Sequence, residues 1–237
     1  MNLSPFSVLI LGFLLGLKHA TDADHVVAVT TIVSRQKKLR HAALVGITWG
    51  IGHTFMIIVV GIAMIVFRIT IPEKAQLTFE LIVAVTLIIL GFLNLTGIMG
   101  KLVRSLSRYH THTHPHGENI PPHHHAGVDA FVMEHGLFSL VRPLIVGLIH
   151  GLAGSAAVAL LVLGSISDQI TAIVYLAIFG VGTIVGMMII TTLLGIPMLA
   201  GSKKFERFDR IATVIAGIIS IGYGLYFGLG ILGELLK

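Results

Sequence analysis

The chain has 237 residues, of which 55% are hydrophobic and only 11% are charged, and its formal net charge is +5. Soluble domains carry about 25% charged residues, so this composition excludes a water-exposed globular surface and favours a lipid bilayer as the surrounding solvent. No cysteine is present, which excludes disulfides, thiolate metal sites and dithiol redox chemistry. Any metal must therefore be bound by nitrogen and oxygen ligands.

Six apolar segments follow one another along the chain, and each is long enough to span a hydrocarbon core, which needs roughly 20 helical residues. They are Pro5–Val33, Ala42–Phe67, Leu77–Gly100, Leu140–Ile166, Ile170–Ala200 and Ile211–Leu235. The sequence therefore predicts an all-α polytopic membrane protein whose six segments are transmembrane helices.

Basic residues indicate the side of the membrane on which each loop lies. Lys and Arg are concentrated after the first, third and fifth segments, and only Arg68, Lys74 and Lys237 lie on the other side. By the positive-inside rule, these three loops are cytoplasmic and both termini are outside. The basic charge is thus explained as a topology signal in a cytoplasmic (inner) membrane, and no nucleic-acid partner is expected.

The two halves of the chain resemble each other. The stretch GLKHATDADHVVAV from Gly16 aligns with GLIHGLAGSAAVAL from Gly147, so that His19 falls on His150 at an offset of 131 residues. Glycine matches at nearly the same offset are Gly50 and Gly52 with Gly180 and Gly182, Gly91 with Gly222, and Gly97 with Gly228. Because each half has three spans, the second half must enter the membrane from the opposite side. The sequence predicts two inverted three-helix repeats.

A histidine-rich loop separates the two repeats. The first repeat is expected at residues 1–100, the cytoplasmic loop at 101–139 and the second repeat at 140–237. Eight of the 13 histidines lie in this loop, with Pro and Gly among them, which is typical of a flexible metal-gathering tract. They are His110, His112, His114, His116, His123, His124, His125 and His135. The alternative is a tract that serves only as a spacer.

The first segment carries ionisable residues inside an expected membrane helix. His19, Asp22, Asp24 and His25 lie within seven residues, and each such group costs roughly 2.5–3.5 kcal/mol at the centre of a membrane helix. In a continuous helix, His19, Asp22 and His25 share one face, whereas Asp24 points elsewhere unless the helix is broken. Two imidazoles and a carboxylate suit Ni, Co, Zn or Fe, and Asp24 is expected to orient a histidine or to pair with Lys18. The alternative is a hydrogen-bond cluster that only holds helices together.

Two further histidines are candidate ligands from other segments. His53 ends a Gly-Ile-Gly-His stretch whose small residues let another helix approach beside the imidazole. His150 is the repeat counterpart of His19, in a segment without acidic residues. A structural role is the alternative for both. Asn94, in the third segment, is better explained as an interhelical hydrogen-bond donor than as a ligand.

These motifs resemble those of the nickel/cobalt transporter (NicO) superfamily. Residues 19–25 match its membrane-embedded signature His-Ala-x-Asp-Ala-Asp-His, and residues 50–54 match a following Gly-x-Gly-His-[Ser/Thr] pattern. The short urease-accessory branch is the most similar, because of the HGLAGSAA block that begins at His150. The resemblance implies secondary transport of Ni²⁺ or Co²⁺ with five functional residues, namely His19, Asp22, Asp24, His25 and His53.

The expected function is that of a permease for a divalent transition metal, with uptake favoured, the ion as substrate and no bound cofactor. Its expected partners are the ion, the bilayer and cytoplasmic metallochaperones, and no ATPase is expected because the chain lacks a GxxxxGK[ST] loop. Export is the alternative direction, since the His-rich loop is similar to that of the efflux branch. A His/Asp cluster in a membrane would also fit a metal sensor without flux or a metal-dependent enzyme, although no HExxH motif is present.

Overall fold

The computed structural model describes residues 5–34, 36, 38–69, 71–98, 138–152, 166, 168–204 and 207–237. Within these residues the chain forms seven helices. They are α1 (Pro5–His19), α2 (Ala23–Val33), α3 (Leu39–Phe67), α4 (Glu73–Thr96), α5 (Phe138–Gly151), α6 (Gln169–Lys204) and α7 (Phe208–Leu235). The described part is therefore all-α, as the sequence predicts.

Four helices are long and apolar enough to cross a bilayer, namely α3, α4 and most of α6 and α7. Helices α1 and α2 meet the same criterion only as a pair, bent by 54° at the break between them. The prediction of six spans is thus confirmed for four spans, or for five if the bent pair is one span. Helix α5 covers the start of the predicted fourth segment. The eight histidines of the predicted cytoplasmic loop and residues 153–165 lie outside the part of the chain that the structure describes.

The first segment is broken, which is the alternative that the sequence leaves open for Asp24. Helix α1 ends at His19 and α2 begins at Ala23, and Asp22 between them is extended at φ −60° and ψ 145°. The amide of Thr21 donates to the carbonyl of Lys18 at 2.9 Å, and the amide of Asp22 donates to that of His19 at 3.1 Å. A break inside a membrane span is tolerated where protein packs around the freed backbone, and α2 packs against α3, α4, α6 and α7.

Close helix crossings surround this break. Helix α1 packs on α6, α3 packs on both α5 and α6, and α4 packs on α7. At the crossing of α5 with α3, Gly147 lies so close to the Trp49 carbonyl and the His53 amide that a Cβ atom would overlap the backbone. Small residues are what permit such backbone approach in lipid, where apolar side chains gain little by leaving the bilayer.

The crossing of α1 with α6 repeats this contact. Gly16, which the sequence aligns with Gly147, lies against the Phe179 carbonyl and the Thr183 amide of α6. Phe179 and Thr183 follow Trp49 and His53, which Gly147 contacts, by 130 residues. This separation is close to the 131 residues between Gly16 and Gly147. Each half of the chain thus contacts the other through equivalent backbone positions.

The crossing of α4 with α7 differs from the sequence alignment in register. Gly91 of α4 lies against the carbonyl of Gly217, and Gly224 of α7 lies against the carbonyl of Ala84. Gly222, which the sequence aligns with Gly91, has nothing near the position of an added Cβ within 4 Å. In packing terms Gly91 corresponds to Gly224, because what matters is the helix face that meets the partner.

Side-chain hydrogen bonds join the same helices. The Asn94 side chain donates to the Thr213 carbonyl of α7 at 3.1 Å, which confirms its predicted interhelical role. The Thr54 hydroxyl donates to the Gly180 carbonyl of α6 at 3.2 Å. These bonds satisfy polar groups that the bilayer cannot hydrate.

Candidate metal site

Three buried imidazoles from three helices meet beside the break. His19 ends α1, His25 lies in the first turn of α2 and His53 lies midway along α3, with relative exposures of 5%, 1% and 0%. The centroids of the three rings are 4.7, 4.8 and 4.9 Å apart. The structure therefore brings together, in a nearly equilateral triangle, three residues that the sequence places 34 positions apart at most.

This spacing suits a single metal ion. A metal–imidazole bond of about 2.1 Å puts a ring centroid about 3.2 Å from the ion. Two centroids then lie about 4.5 Å apart when the N–metal–N angle is a right angle, and about 5.2 Å apart when it is tetrahedral. The observed separations fall in this range. The Nε2 atoms of His19 and His53 are 2.7 Å apart and share a hydrogen bond. An ion between them would replace the shared proton, since ligating imidazoles are deprotonated at the ligating nitrogen.

Two carboxylates orient two of the rings. His19 Nδ1 donates to Asp22 at 2.8 Å and His25 Nδ1 donates to Asp24 at 2.9 Å. Donation through Nδ1 leaves a lone pair on Nε2, which is how carboxylates commonly set histidine tautomers at metal sites. The break in the helix explains why Asp24, which a continuous helix would point away, lies against His25. Of the two partners that the sequence suggests for Asp24, the one it contacts is thus a histidine and not Lys18.

His150 adds a fourth imidazole from the second half of the chain. Its side chain is fully buried, and its ring centroid lies 5.8 Å from that of His25. Its Nδ1 donates to the Val146 carbonyl at 3.0 Å, which leaves the lone pair on Nε2. That Nε2 atom and the Nε2 atom of His25 have no hydrogen-bond partner within the described residues. Both are therefore available as ligand atoms.

Trp49 is the site residue that sequence reasoning missed. Its ring stacks on His25 at a centroid distance of 6.1 Å and meets His150 edge-on at 5.3 Å. It is fully buried and is the only tryptophan of the chain. Its spacing of four residues before His53 was the available signal, because residues at i and i+4 share a helix face.

This position makes Trp49 a reporter of metal binding. We expect Ni²⁺ or Co²⁺ to quench the tryptophan emission strongly, because the indole stacks on His25, a ring of the triangle, at 6.1 Å, and these ions have partly filled d orbitals. Zn²⁺, which has a filled d shell, should bind with little quenching and should compete with Ni²⁺. Fluorescence titration in detergent measures this. An emission that is unchanged by saturating Ni²⁺ would contradict binding at the triangle.

The chain is similar to known proteins over most of its length. A family profile described as "High-affinity nickel-transport protein" matches residues 6–206. The chain is 35% identical over 233 residues to the urease accessory protein UreH of Bacillus sp. (strain TB-90), covering 98% of this chain and 95% of that protein. It is 24% identical over 222 residues to the chloroplast protein FOR GROWTH AND FERTILITY 1 of Arabidopsis thaliana, covering 90% of this chain and 56% of that protein. No solved structure matches it significantly.

Proposed function

Because the chain belongs to the high-affinity nickel-transport protein family, we propose that it is a secondary transporter that carries Ni²⁺ or Co²⁺ through the cytoplasmic membrane into the cell. The observation that carries this proposal is the buried triangle of imidazoles beside a broken membrane helix. Ionisable groups at membrane depth are retained where they bind an ion or line its path. Ni²⁺ and Co²⁺ accept the same ligands, so both are included.

We assign the ligands and their supports as follows. The ion is bound through Nε2 atoms, and two carboxylates hold the rings in the tautomer that binds. The proposed ligands are His19, His25, His53 and His150, and the proposed supports are Asp22 and Asp24. Imidazole suits Ni²⁺ and Co²⁺ better than it suits Mg²⁺ or Ca²⁺. We therefore expect the latter two ions to be poor substrates.

The distribution of acidic groups supports uptake. Glu80 lies near the start of α4, and Glu234 lies near the end of α7. The basic residues predict that these helix ends lie outside the cell. The acidic residues on that side outnumber the basic ones by four to three, so a dication that arrives from outside would meet a net negative charge; the residues are Glu73, Glu80, Asp168 and Glu234 against Arg68, Lys74 and Lys237. The inside-negative potential favours the same direction, by about 2.3 kcal/mol per charge for every 100 mV.

The reciprocal glycine contacts support an inverted repeat, with residues 1–100 and 140–237 as its halves and the loop 101–139 between them. In this arrangement His19, His25 and His53 belong to one half and His150 to the other. Rocking of the halves about their crossings would change the distance between these two groups and expose the ion to alternate sides. No nucleotide hydrolysis is needed for this.

On the cytoplasmic side, we propose that the histidines of residues 101–139 receive the ion and pass it to soluble metallochaperones. Flexible His-rich tracts are typical metal-gathering segments. The name of the Bacillus relative, a urease accessory protein, supports a role in serving that enzyme. Deletion of the loop should therefore slow release of the ion more than it weakens binding at the triangle.

Metal flux into proteoliposomes tests the proposed function. We expect saturable Ni²⁺ or Co²⁺ uptake, driven by an inside-negative potential and lost in His19→Ala. Thr86→Ala is a suitable control, because Thr86 is half-buried on α4 and its hydroxyl donates to the Ile82 carbonyl of the same helix. Tight binding without flux would favour a sensor. Suppose that the protein has its native orientation in the vesicles and moves ions only outward, against an inside-negative potential. This result would favour export.

A further inference from the structure

The carboxylates beside the triangle form a second group of ligand atoms. Asp22, Asp24 and His25 each offer one atom, and these atoms lie within 4.8 Å of one another. His25 also belongs to the triangle, so the two groups share one imidazole. We call the group of Asp22, Asp24 and His25 the outer site, and the triangle of His19, His25 and His53 the inner site.

Resting on the proposed function, we propose that the transported ion is bound first at the outer site and is then passed to the inner site across the ring of His25. The outer site uses Nδ1 of His25, which lies 2.9 Å from Asp24. The inner site uses Nε2, which is buried and has no partner in the described part of the chain. The two nitrogens of one ring thus face two successive positions of the ion.

Burial increases along this route. The Asp22 side chain is 35% exposed, that of Asp24 is 9% exposed and that of His25 is 0% exposed. Asp22 is therefore the most accessible ligand of the outer site, and His25 is the least accessible. At the inner site it is enclosed by imidazoles and by the helices that carry them.

The ligand chemistry changes in the same order. Carboxylate oxygens suit an ion that still holds several water molecules, whereas imidazoles suit a dehydrated Ni²⁺ or Co²⁺. Dividing dehydration between two sites lowers the cost of each step. The inner site would also select between ions that the outer site accepts, because hard ions such as Mg²⁺ would stop at the outer site.

The two sites exclude each other. With the ion at the inner site, Asp24 accepts the proton on His25 Nδ1. With the ion at the outer site, that proton must sit on Nε2, which removes a ligand from the inner site. Two dications a few ångströms apart would also repel each other strongly. We therefore expect one ion at saturation for the outer and inner sites together, apart from any ions bound by the histidines of residues 101–139.

Visible absorption of bound Co²⁺ tests this two-site path, because low-coordinate nitrogen-rich Co²⁺ absorbs intensely and six-coordinate, oxygen-rich Co²⁺ absorbs weakly. The measurement uses a parent chain in which the eight histidines of residues 101–139 are replaced by Gln, so that only the outer and inner sites are counted. This parent chain should bind one Co²⁺ with intense bands. His53→Ala removes only an inner ligand and should still bind one Co²⁺, with weak bands and an affinity about 100-fold lower. The double variant His53→Ala/Asp22→Asn should lose this remaining binding. The double variant His53→Ala/Glu73→Gln should keep it, because Glu73 is an exposed residue at the start of α4.

The outcomes separate the two proposals. If His53→Ala in the parent chain binds no Co²⁺ while retaining the Trp49 emission and unfolding temperature of the parent, the outer site is overturned, and the intense bands of the parent still support the proposed function. Residual binding in the parent chain that survives both Asp22→Asn and Asp24→Asn also overturns the outer site. A parent chain that binds neither Co²⁺ nor Ni²⁺ overturns both proposals.

Discussion

Replacing His25 with Ala is expected to abolish nickel transport and to weaken Ni²⁺ binding by more than about 100-fold. His25 occupies the centre of the cluster, since its ring lies near His19, His53 and His150 at 4.7, 4.8 and 5.8 Å. Its loss removes a ligand from the inner site and from the outer site together. Equilibrium dialysis and flux in proteoliposomes measure the two losses separately.

His41 provides the matched control for this prediction. It is as buried as His25, at 1% exposure, but it precedes His53 by 12 residues in α3, which is about 18 Å along a helix axis. We expect His41→Gln to keep Ni²⁺ affinity and flux within about twofold of wild type, because its ring lies outside the cluster. Equal losses in both variants would mean that any buried histidine is needed for folding, and would remove the argument for a metal site.

Replacing Gly147 with Ala should lower stability by roughly 1–3 kcal/mol or more. The added Cβ would overlap the Trp49 carbonyl and lie 3.0 Å from the His53 amide, so α5 and α3 would have to separate. Because these residues carry the site, Ni²⁺ affinity should fall with stability. Thermal unfolding in detergent and fluorescence titration measure the two effects.

Two other glycines make this prediction specific. Gly222→Ala on α7 should be neutral or stabilising, because nothing lies within 4 Å of the added Cβ and Ala has a helix propensity higher than Gly by about 1 kcal/mol. Gly16→Ala should destabilise as much as Gly147→Ala, since the contacts are equivalent. A much smaller effect at Gly16 would argue against an internal two-fold arrangement.

The membrane environment, the all-α class and the residues of the candidate site could be predicted from the sequence. Hydropathy depends on composition within one segment, and ligand chemistry depends on residue type, so both can be recognised locally. Asp22 and His25 were identified as candidate ligands because charged groups are costly within an apolar run. His53 was identified because small residues beside it allow a second helix to approach.

Only the tertiary structure decided how these residues meet. Helical periodicity assumes a continuous helix, so it placed Asp24 away from the cluster, whereas the break turns this carboxylate onto His25. Trp49 has no ligand atom that a motif would single out, and its role depends on rings contributed by α2 and α5. Gly224 rather than Gly222 packs against α4, because a contact depends on which face meets a neighbour. Such pairings arise between distant segments, and no local pattern in the chain encodes them.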